Sequence, residues 1–582
     1  MLVLGIHVDA HDTGAVLIRD KTILAAINEE RLSRIKEDSS PPMRSVEEVL
    51  KIAKVMPVEI DRIVISGFKK KARGFYKEHL IFYYKFPSLF FARKGLKWKI
   101  YLLRRIASSI KNQWIRAKKV EGSVQEIVQS LRKRECTGKV QYSKHHINHL
   151  ASAYYTSGWN ECLVVNVEGS SYDYSTNIAI GREGKLKLIA STPYPHSAGN
   201  FYDLVTKLLG FRARRHAGKI TGLAAFGNPE VCHKEVSELL WCEGLELRNS
   251  AKLYHMWMNY NYDKTLPPLF INNTRENLAA AFQRVLEESV VEMVKNAVEK
   301  TGLKRIALAG GVCGNVKMNQ RILEIPGVKA VFVFPGMGDV GQAMGAALEV
   351  LAEEQQPYLP FTLKDVYLGR EYTEAEIKEV LDKYKVKYKY DKEIEKTIAK
   401  LIVKKKVIAR FNGRMEFGPR ALGNRTIIYS PEKKEVNDWL NKRLKRTEFM
   451  PFAPATLIEF AEKSYKNIKG GMYPAKFMTI TFDCTDWMKK TCRAVVHVDG
   501  TARPQLVEKT INPSFYKIIE EYYRLTKLPS VVNTSFNMHE EPIVCSPEDA
   551  VRSFLEGNLD YLAIGNFLVE PRKLKESIDK RA

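Results

Sequence analysis

Short apolar runs that alternate with helix-period stretches constrain this chain more than any other feature. Leu2 to Ile6, Ala15 to Ile18 and Ile23 to Ile27, separated by turn-forming Asp and Gly, read as a meander of strands. A helix near Ser45 to Ile52 and a strand at Arg62 to Ser66 follow. A helix near Ser123 to Leu131, a strand near Lys139 to Tyr142, a His-rich helix and the strand Cys162 to Val167 come next. Glu276 to Thr301 carries the longest helical periodicity, and strand and helix then alternate from Arg305 to Leu351. Such alternation predicts layered α/β domains. The 582 residues exceed one ordinary core, so roughly two to four domains are expected. Two prolines interrupt the periodicity within Gln355 to Phe361, the predicted linker, and a second α/β domain opens with the helix Thr373 to Tyr384. No internal repeat or low-complexity tract is visible.

Lys and Arg number 92 against 67 Asp and Glu, a net charge of +25, and the excess is concentrated. Between Lys69 and Lys119 there are sixteen Lys/Arg and one acid, Glu78, so this segment supplies 15 of the 25 charges. It is rich in aromatics, and Ile100, Leu103, Ala107, Ile110 and Trp114 recur at steps of three and four. That spacing predicts a helix with an apolar stripe and a basic opposite face. Such a helix suits an anionic membrane surface, a nucleic acid or an anionic, polyanionic acceptor. Alternatively its stripe packs on the body and its charges are solvated. No base-reading motif is present, which ranks nucleic acid lower. Eight scattered cysteines without C-x-x-C spacing argue against a disulfide scaffold. The start, Met1 to Asp9, lacks a cationic region followed by an apolar one, and no run reaches about 18 apolar residues. A cytoplasmic setting is expected, with a peripheral place at a membrane surface open through the basic segment.

Several motifs carry chemistry. His11 in His11-Asp12-Thr13-Gly14-Ala15 stands at a strand end, and its ordinary pKa suits general-base work on a hydroxyl. On an extended chain neighbouring side chains alternate, so Asp12 is not expected to be its direct partner. In Lys144-His145-His146-Ile147-Asn148-His149 the residues His145 and His149 share a helix face and can present two imidazoles to one metal, with iron, zinc or manganese suited to nitrogen ligands. His146 points away. Carboxylates to complete such a site stand after apolar strands: Glu168 in Asn166-Val167-Glu168-Gly169, and Asp339 in Gly338-Asp339-Val340-Gly341. Either is equally a turn or cap residue.

Gly310-Gly311-Val312-Cys313-Gly314-Asn315 follows a strand and precedes a helix, so its backbone N–H groups can hold phosphate, and Gly336 to Gly341 repeats the arrangement around Gly338. Gly218-Lys219-Ile220-Thr221-Gly222 reads as a third glycine loop and brings a lysine. Together they point to nucleotide binding at Gly310, Gly311, Asn315 and Gly338. In the second domain Arg420 and Arg503 sit beside proline in loops, and Arg446 stands shortly before Pro451-Phe452-Ala453-Pro454. A guanidinium fork fixed there suits phosphate or carboxylate.

The strings HDTGA at His11, HHINHLASA at His145, GKITGLAAFG at Gly218, AGGVCGN at Ala309, GMGDVGQAMGAA at Gly336, EFGPRALGNR at Glu416, PFAPA at Pro451, HVDGTARPQ at His497 and NTSFN at Asn533 resemble, in order, those of the O-carbamoyltransferases of the nodulation-protein-U and cephalosporin/tobramycin carbamoyltransferase type. The resemblance implies an actin-like, sugar-kinase-type (ASKHA) carbamoyl-transfer domain over residues 1–360 and a YrdC-like α/β domain over 361–582 that forms carbamoyl adenylate from carbamoyl phosphate and ATP. It implies a divalent metal, Fe2+ in the best-known members, ATP with Mg2+, and a hydroxyl-bearing small-molecule or glycan acceptor. Carried over by position, His145, His149 and Asp339 match the metal ligands, His11 and Lys219 the catalytic positions, and Arg420, Arg446, Arg503, Asn533 and Ser535 the carbamoyl-phosphate and adenylate loops. Three departures stand out. Glu168 replaces an aspartate, Ala217 precedes Gly218-Lys219 where the family has glutamate, and the segment 69–119 matches no family motif. A tRNA (threonyl)carbamoylation enzyme and a polyanion- or membrane-binding scaffold are the alternative readings.

Overall fold

The computed structural model describes residues 1–9, 11–67, 96–171, 173–444 and 452–570; Arg446 and residues 69–95 of the basic segment lie outside them. β1 (Leu2–His7), β2 (Gly14–Arg19) and β3 (Thr22–Asn28) form an antiparallel meander, while β4 (Arg62–Ser66) and β5 (Lys139–Ser143) extend the sheet in parallel from β1, giving the order β3-β2-β1-β4-β5. The same order and the same pattern of strand directions recur in β6 (Glu161–Ser171), β7 (Tyr174–Arg182), β8 (Lys185–Pro193), β9 (Arg305–Ala309) and β10 (Ala330–Val333). A duplicated five-stranded sheet of this order is the actin-like architecture. The repeat that the sequence hides is one of topology. β1 and β6 open the two sheets as LVLGIH and ECLVVNVEGSS, alike only in being apolar.

Residues further along form an eight-stranded mixed sheet between Tyr388 and Val569. Within it β11 (Ile408–Phe411), β12 (Arg425–Tyr429), β14 (Ser530–Ser535) and β13 (Ala453–Leu457) lie side by side in that order, all antiparallel to their neighbours here. The segment expected to link the halves is packed. Tyr358 is buried and its hydroxyl donates to Asp20 O at 2.7 Å.

The helices explain how the two smaller sheets share a core. α1 (Met43–Ala53) covers the first sheet, and α2 (Leu96–Lys133) is one unbroken helix where the sequence suggested two. Its start docks Trp98 and Leu102 in the core of the second sheet, with Trp98 edge-on to Tyr262. Its end docks Val120, Val124, Ile127 and Leu131 on the first. Of the two readings of the stripe, packing on the body is the one not seen: Ile100, Leu103 and Trp114 are exposed. α3 (His145–Tyr155) and α4 (Ala217–Ala224) follow, then the 27-residue α5 (Arg275–Thr301), capped by Thr274 and ended by Gly302 in the left-handed region. α6 (Val316–Leu323) and α7 (Gln342–Glu354) complete this part. α3 and α7 lie between the two sheets: Leu150, Ala151, Ala153, Ala343, Ala346 and Ala347 share one buried cluster with Val3 and Val64 of the first sheet and Val164 and Ala307 of the second. Gly218 to Gly222, expected as a loop, falls inside α4, because Ile220 and Leu223 bury one face of a helix there.

On α7, Glu349 meets Ser143 at the end of β5. Burial pushes its carboxyl up from 4.5 to about 7, against the Ser143 hydrogen bond. The folded chain therefore holds this proton more tightly than the unfolded chain. The resulting stability is complete below about pH 4.5 and is lost as the pH rises through about 7. Glu349→Gln should melt higher than the parent near pH 8, by about 1–2 kcal/mol, and at the parent's temperature near pH 4.5. An equal shift at both pH values would contradict this.

Candidate active site

The lip between α3, β6 and the start of α7 gathers four ligating side chains. His145 and His149, one turn apart on α3, bring their Nε2 atoms to 3.2 Å. His145 Nε2 lies 3.0 Å from Glu168 Oε2 and 3.3 Å from Asp339 Oδ1, and His149 Nε2 lies 3.6 and 3.4 Å from the same atoms. One ligand atom from each of the four falls within 4.8 Å of all the others. Glu168 reaches the group because β6 loses its regular register with β7 between Val167 and Ser171, which frees the side chain from strict alternation. Asn166 Nδ2 donates to its second oxygen at 3.1 Å. Two imidazole nitrogens and two carboxylate oxygens, nearly all buried, make a donor set that fits a divalent cation. Burial opposes charge on each group, but the imidazoles and carboxylates overcome it together. Glu168 is held down at about 2, Asp339 well below the carboxylate range, and both histidines are raised. His146 stays out of the cluster, edge-on to Tyr174.

Positions are fixed from behind. A Cβ on Gly345 of α7 would stand 1.9 Å from Asn148 O on α3, so only glycine lets the two helices approach this closely. The Asn148 amide lies 2.7 Å from Ser66 Oγ and 2.9 Å from Gln342 Oε1, while Gln342 Nε2 donates to His145 O at 3.1 Å. The helix that carries both histidines is thereby tied to the one that follows Asp339.

His11 stands at the rim, with its Nε2 3.6 Å from Asp339 Oδ2. Contrary to expectation its Nδ1 pairs with Asp12 Oδ2 at 3.0 Å. Asp12 has φ 57°, and in that left-handed turn the strand rule of alternating sides does not hold. Burial disfavours charge on the ring, yet Asp12 and then Asp339 raise His11 to about 9. The His11 side chain is 32% exposed against 5% for His145 and 1% for His149, so it is the imidazole that an incoming molecule can meet. Sequence reasoning missed His7. It is wholly buried at the end of β1, 6.5 Å from His145 between ring centroids, and kept neutral by burial, which lowers it to about 4. Neither ring nitrogen meets a hydrogen-bond partner among the described residues. Only an imidazole among apolar strand residues marked it in the sequence.

Beside the cluster the glycine loops face each other. Gly310, at φ 94°, donates its N–H to Met337 O at 2.7 Å. Gly311 and Gly314 front open space, and a Cβ on Gly338 would come within 3.8 Å of Gly311 Cα. Asn315 is used differently from the expectation. Its side chain caps α6 through Met318 N and pairs with Gln283. Lys219 is buried on α4, its ammonium 5.8 Å from the centre of the Phe211 ring.

A second locus lies on the eight-stranded sheet. Buried Glu416 accepts the N–H groups of Leu422, Asn424 and Arg425 at 2.8, 2.8 and 3.1 Å, winding residues 416–425 around one carboxylate and projecting Arg420. Asn533 spends its amide on this scaffold, donating to Ala421 O at 3.1 Å and to Gln505 Oε1 at 2.7 Å. Ser535 ends β14 opposite Thr426. Arg420 and Arg503 stand together, half-buried, with no carboxylate paired to either and no partner for either Nε among the described residues. Burial lowers Arg420 to about 10, and burial plus the Arg420 charge hold Arg503 well below the usual range. Arg503 also lines a cavity of about 350 Å³ with Thr221, Gln283, Lys317, His497 and Thr501, so both parts of the chain contribute walls. In this wall burial would raise Asp499, but His497 and Lys317 hold it ionised.

The sequence matches the carbamoyltransferase N-terminus over residues 2–348 and the carbamoyltransferase C-terminus over residues 399–571; the chain belongs to this family and is a carbamoyltransferase. Nodulation protein NolNO of Sinorhizobium fredii is 30% identical over 97% of this chain and 79% of its own length. An uncharacterized protein of Methanocaldococcus jannaschii is 31% identical over 98% of this chain and 100% of its own. Among solved structures, component A of (R)-2-hydroxyglutaryl-CoA dehydratase from Acidaminococcus fermentans aligns at TM-score 0.34 and 15% identity, over 61% of this chain and 98% of that one.

The loops give a direct contrast. A Cβ at Gly310 would fall 2.3 Å from both Val167 O and Asn166 Oδ1 at a φ that L-residues avoid, whereas one at Gly311 meets nothing. Gly310→Ala should lose about 2–4 kcal/mol of stability in chemical denaturation, and Gly311→Ala less than about 1. Equal losses would show that the loop is not held as described.

Proposed function

We propose that the chain is an ATP-dependent O-carbamoyltransferase that draws on carbamoyl phosphate, passes through carbamoyl adenylate and delivers the carbamoyl group to a hydroxyl of a small-molecule or glycan acceptor. The observation that carries this reading is the Arg420–Arg503 pair: two neighbouring guanidiniums with no carboxylate paired to them among the described residues repel each other, and a phosphorylated ligand relieves both the repulsion and the unmade hydrogen bonds at Nε. Glu416 and Asn533 hold the Arg420 loop in place, so little ordering is left for the ligand to cost. In this reaction water releases phosphate from carbamoyl phosphate, and an oxygen of the carbamate attacks the α-phosphorus of ATP as pyrophosphate leaves with Mg2+. The acceptor oxygen then bonds to the carbamoyl carbon, and AMP departs with the electron pair.

Delivery belongs to the His/carboxylate cluster. His145, His149, Glu168 and Asp339 would hold a divalent cation, Fe2+ by resemblance, and a cation there supplies electrophilic polarisation of a carbamoyl or phosphoryl oxygen. His11, the exposed imidazole, orients the acceptor hydroxyl with Asp12 fixing the ring, and it takes the hydroxyl's proton in its deprotonated form, which Asp12 and Asp339 keep the minor one below about pH 9. Buried Lys219 and the open backbone at Gly311 and Gly338 offer positive charge and N–H groups to the nucleotide phosphates.

Pyrophosphate release from ATP should require carbamoyl phosphate and fall about a hundred-fold or more in Arg503→Met. In His149→Ala release should stay within about three-fold of the parent, while calorimetric affinity for Fe2+ or Co2+ drops at least about ten-fold. Release without carbamoyl phosphate, or undiminished in Arg503→Met, would sink the reading.

A further inference from the structure

α2 docks on the body at both ends, and one face of its middle is exposed. Ile100 is 39% exposed, Leu103 60%, Trp114 45% and Ile115 48%, a set of large apolar side chains that a soluble helix normally covers. At about 100° per residue Ile100, Leu103, Ala107 and Trp114 fall within about 60° of the circumference, and the docked pair Trp98 and Leu102 lies on the far side. The stripe therefore points away from the protein. Exposed Lys97, Arg104, Lys111 and Lys118 run along one flank at a seven-residue step, Lys99 lies on the other, and residues 96–119 contain eight Lys/Arg and no acid. Lys118 Nζ sits 3.9 Å over the Trp114 ring, with its long stem laid along apolar surface.

We propose that this face of α2 is a docking surface for an anionic lipid bilayer, on which the helix lies flat with its stripe among the acyl chains and its lysines and arginines at the headgroups. Charge complementarity alone fits any polyanion. Aliphatic Ile100 and Leu103 decide against a nucleic acid, since they neither stack on a base nor bind a phosphate, whereas the boundary of a bilayer accepts them together with an interfacial Trp. No described helix is long and apolar enough to cross a membrane, so the attachment is peripheral. The placement brings a membrane-borne hydroxyl compound within reach of the enzyme without any role for the helix in the chemistry.

Flotation of the full chain with vesicles tests this. Equimolar phosphatidylcholine and phosphatidylglycerol vesicles should capture the parent, and pure phosphatidylcholine should bind at least about ten-fold less. Binding should weaken with salt. The exposed-site double variant Leu103→Glu/Trp114→Glu should lose at least about ten-fold in capture with an unchanged melting temperature. Absence of capture by the anionic vesicles would overturn the proposal. So would capture that survives the double variant, or binding of total tRNA more tightly than of vesicles at equal salt.

Discussion

The contact between α3 and α7 governs the rest of the N-terminal architecture. Two five-stranded sheets of the same order can share a core only if the helices between them approach nearly to backbone contact, and Gly345 against Asn148 O is where that occurs. The alanines at 343, 346 and 347 continue the narrow seam. This packing demand also sets the chemistry. Two of the four candidate ligands ride on α3 and a third, Asp339, precedes α7, so the seam fixes the separation of nitrogen and carboxylate donors. The buried amides of Asn148 and Gln342 then satisfy one another and Ser66 in place of water, which keeps polar groups tolerable in an otherwise apolar layer.

The two loci are electrostatic opposites. One concentrates two carboxylates against imidazoles and suits a cation. The other places two guanidiniums together that no described carboxylate pairs, and suits an anion. Their separation follows from solvation: each uncompensated charge in a half-buried setting costs several kcal/mol, so a site of this kind is stable only where its partner ligand spends time. Buried Glu416 shows the contrast, since three backbone N–H groups converge on its Oε1.

Much of the candidate site was legible because spacing along a helix is local information. His145 and His149 at i and i+4 could be read as sharing a face, and Asp339 after an apolar strand as a partner. What could not be read depends on departures from regular backbone. Glu168 enters through a break in strand register, and His11 meets Asp12 because Asp12 is in the left-handed region. His7 is invisible for the opposite reason: it continues a regular buried strand, and only tertiary placement brings it beside His145. On α2 the periodicity of the stripe was legible, but not its direction. Trp98 and Leu102, one step out of register, took the core-facing side, since which face docks is decided by the surface that receives it. The duplicated sheet order leaves no trace in side-chain pattern and was legible only through the family resemblance, which implied the actin-like domain.

The cavity that Arg503 lines bears on the proposed chemistry. A carbamoyl–phosphate mixed anhydride is open to attack by water, so an enzyme that makes it in one place and consumes it in another gains from never releasing it. Walls drawn from Thr221, Gln283 and Lys317 on one side and His497, Thr501 and Arg503 on the other provide a shared enclosure.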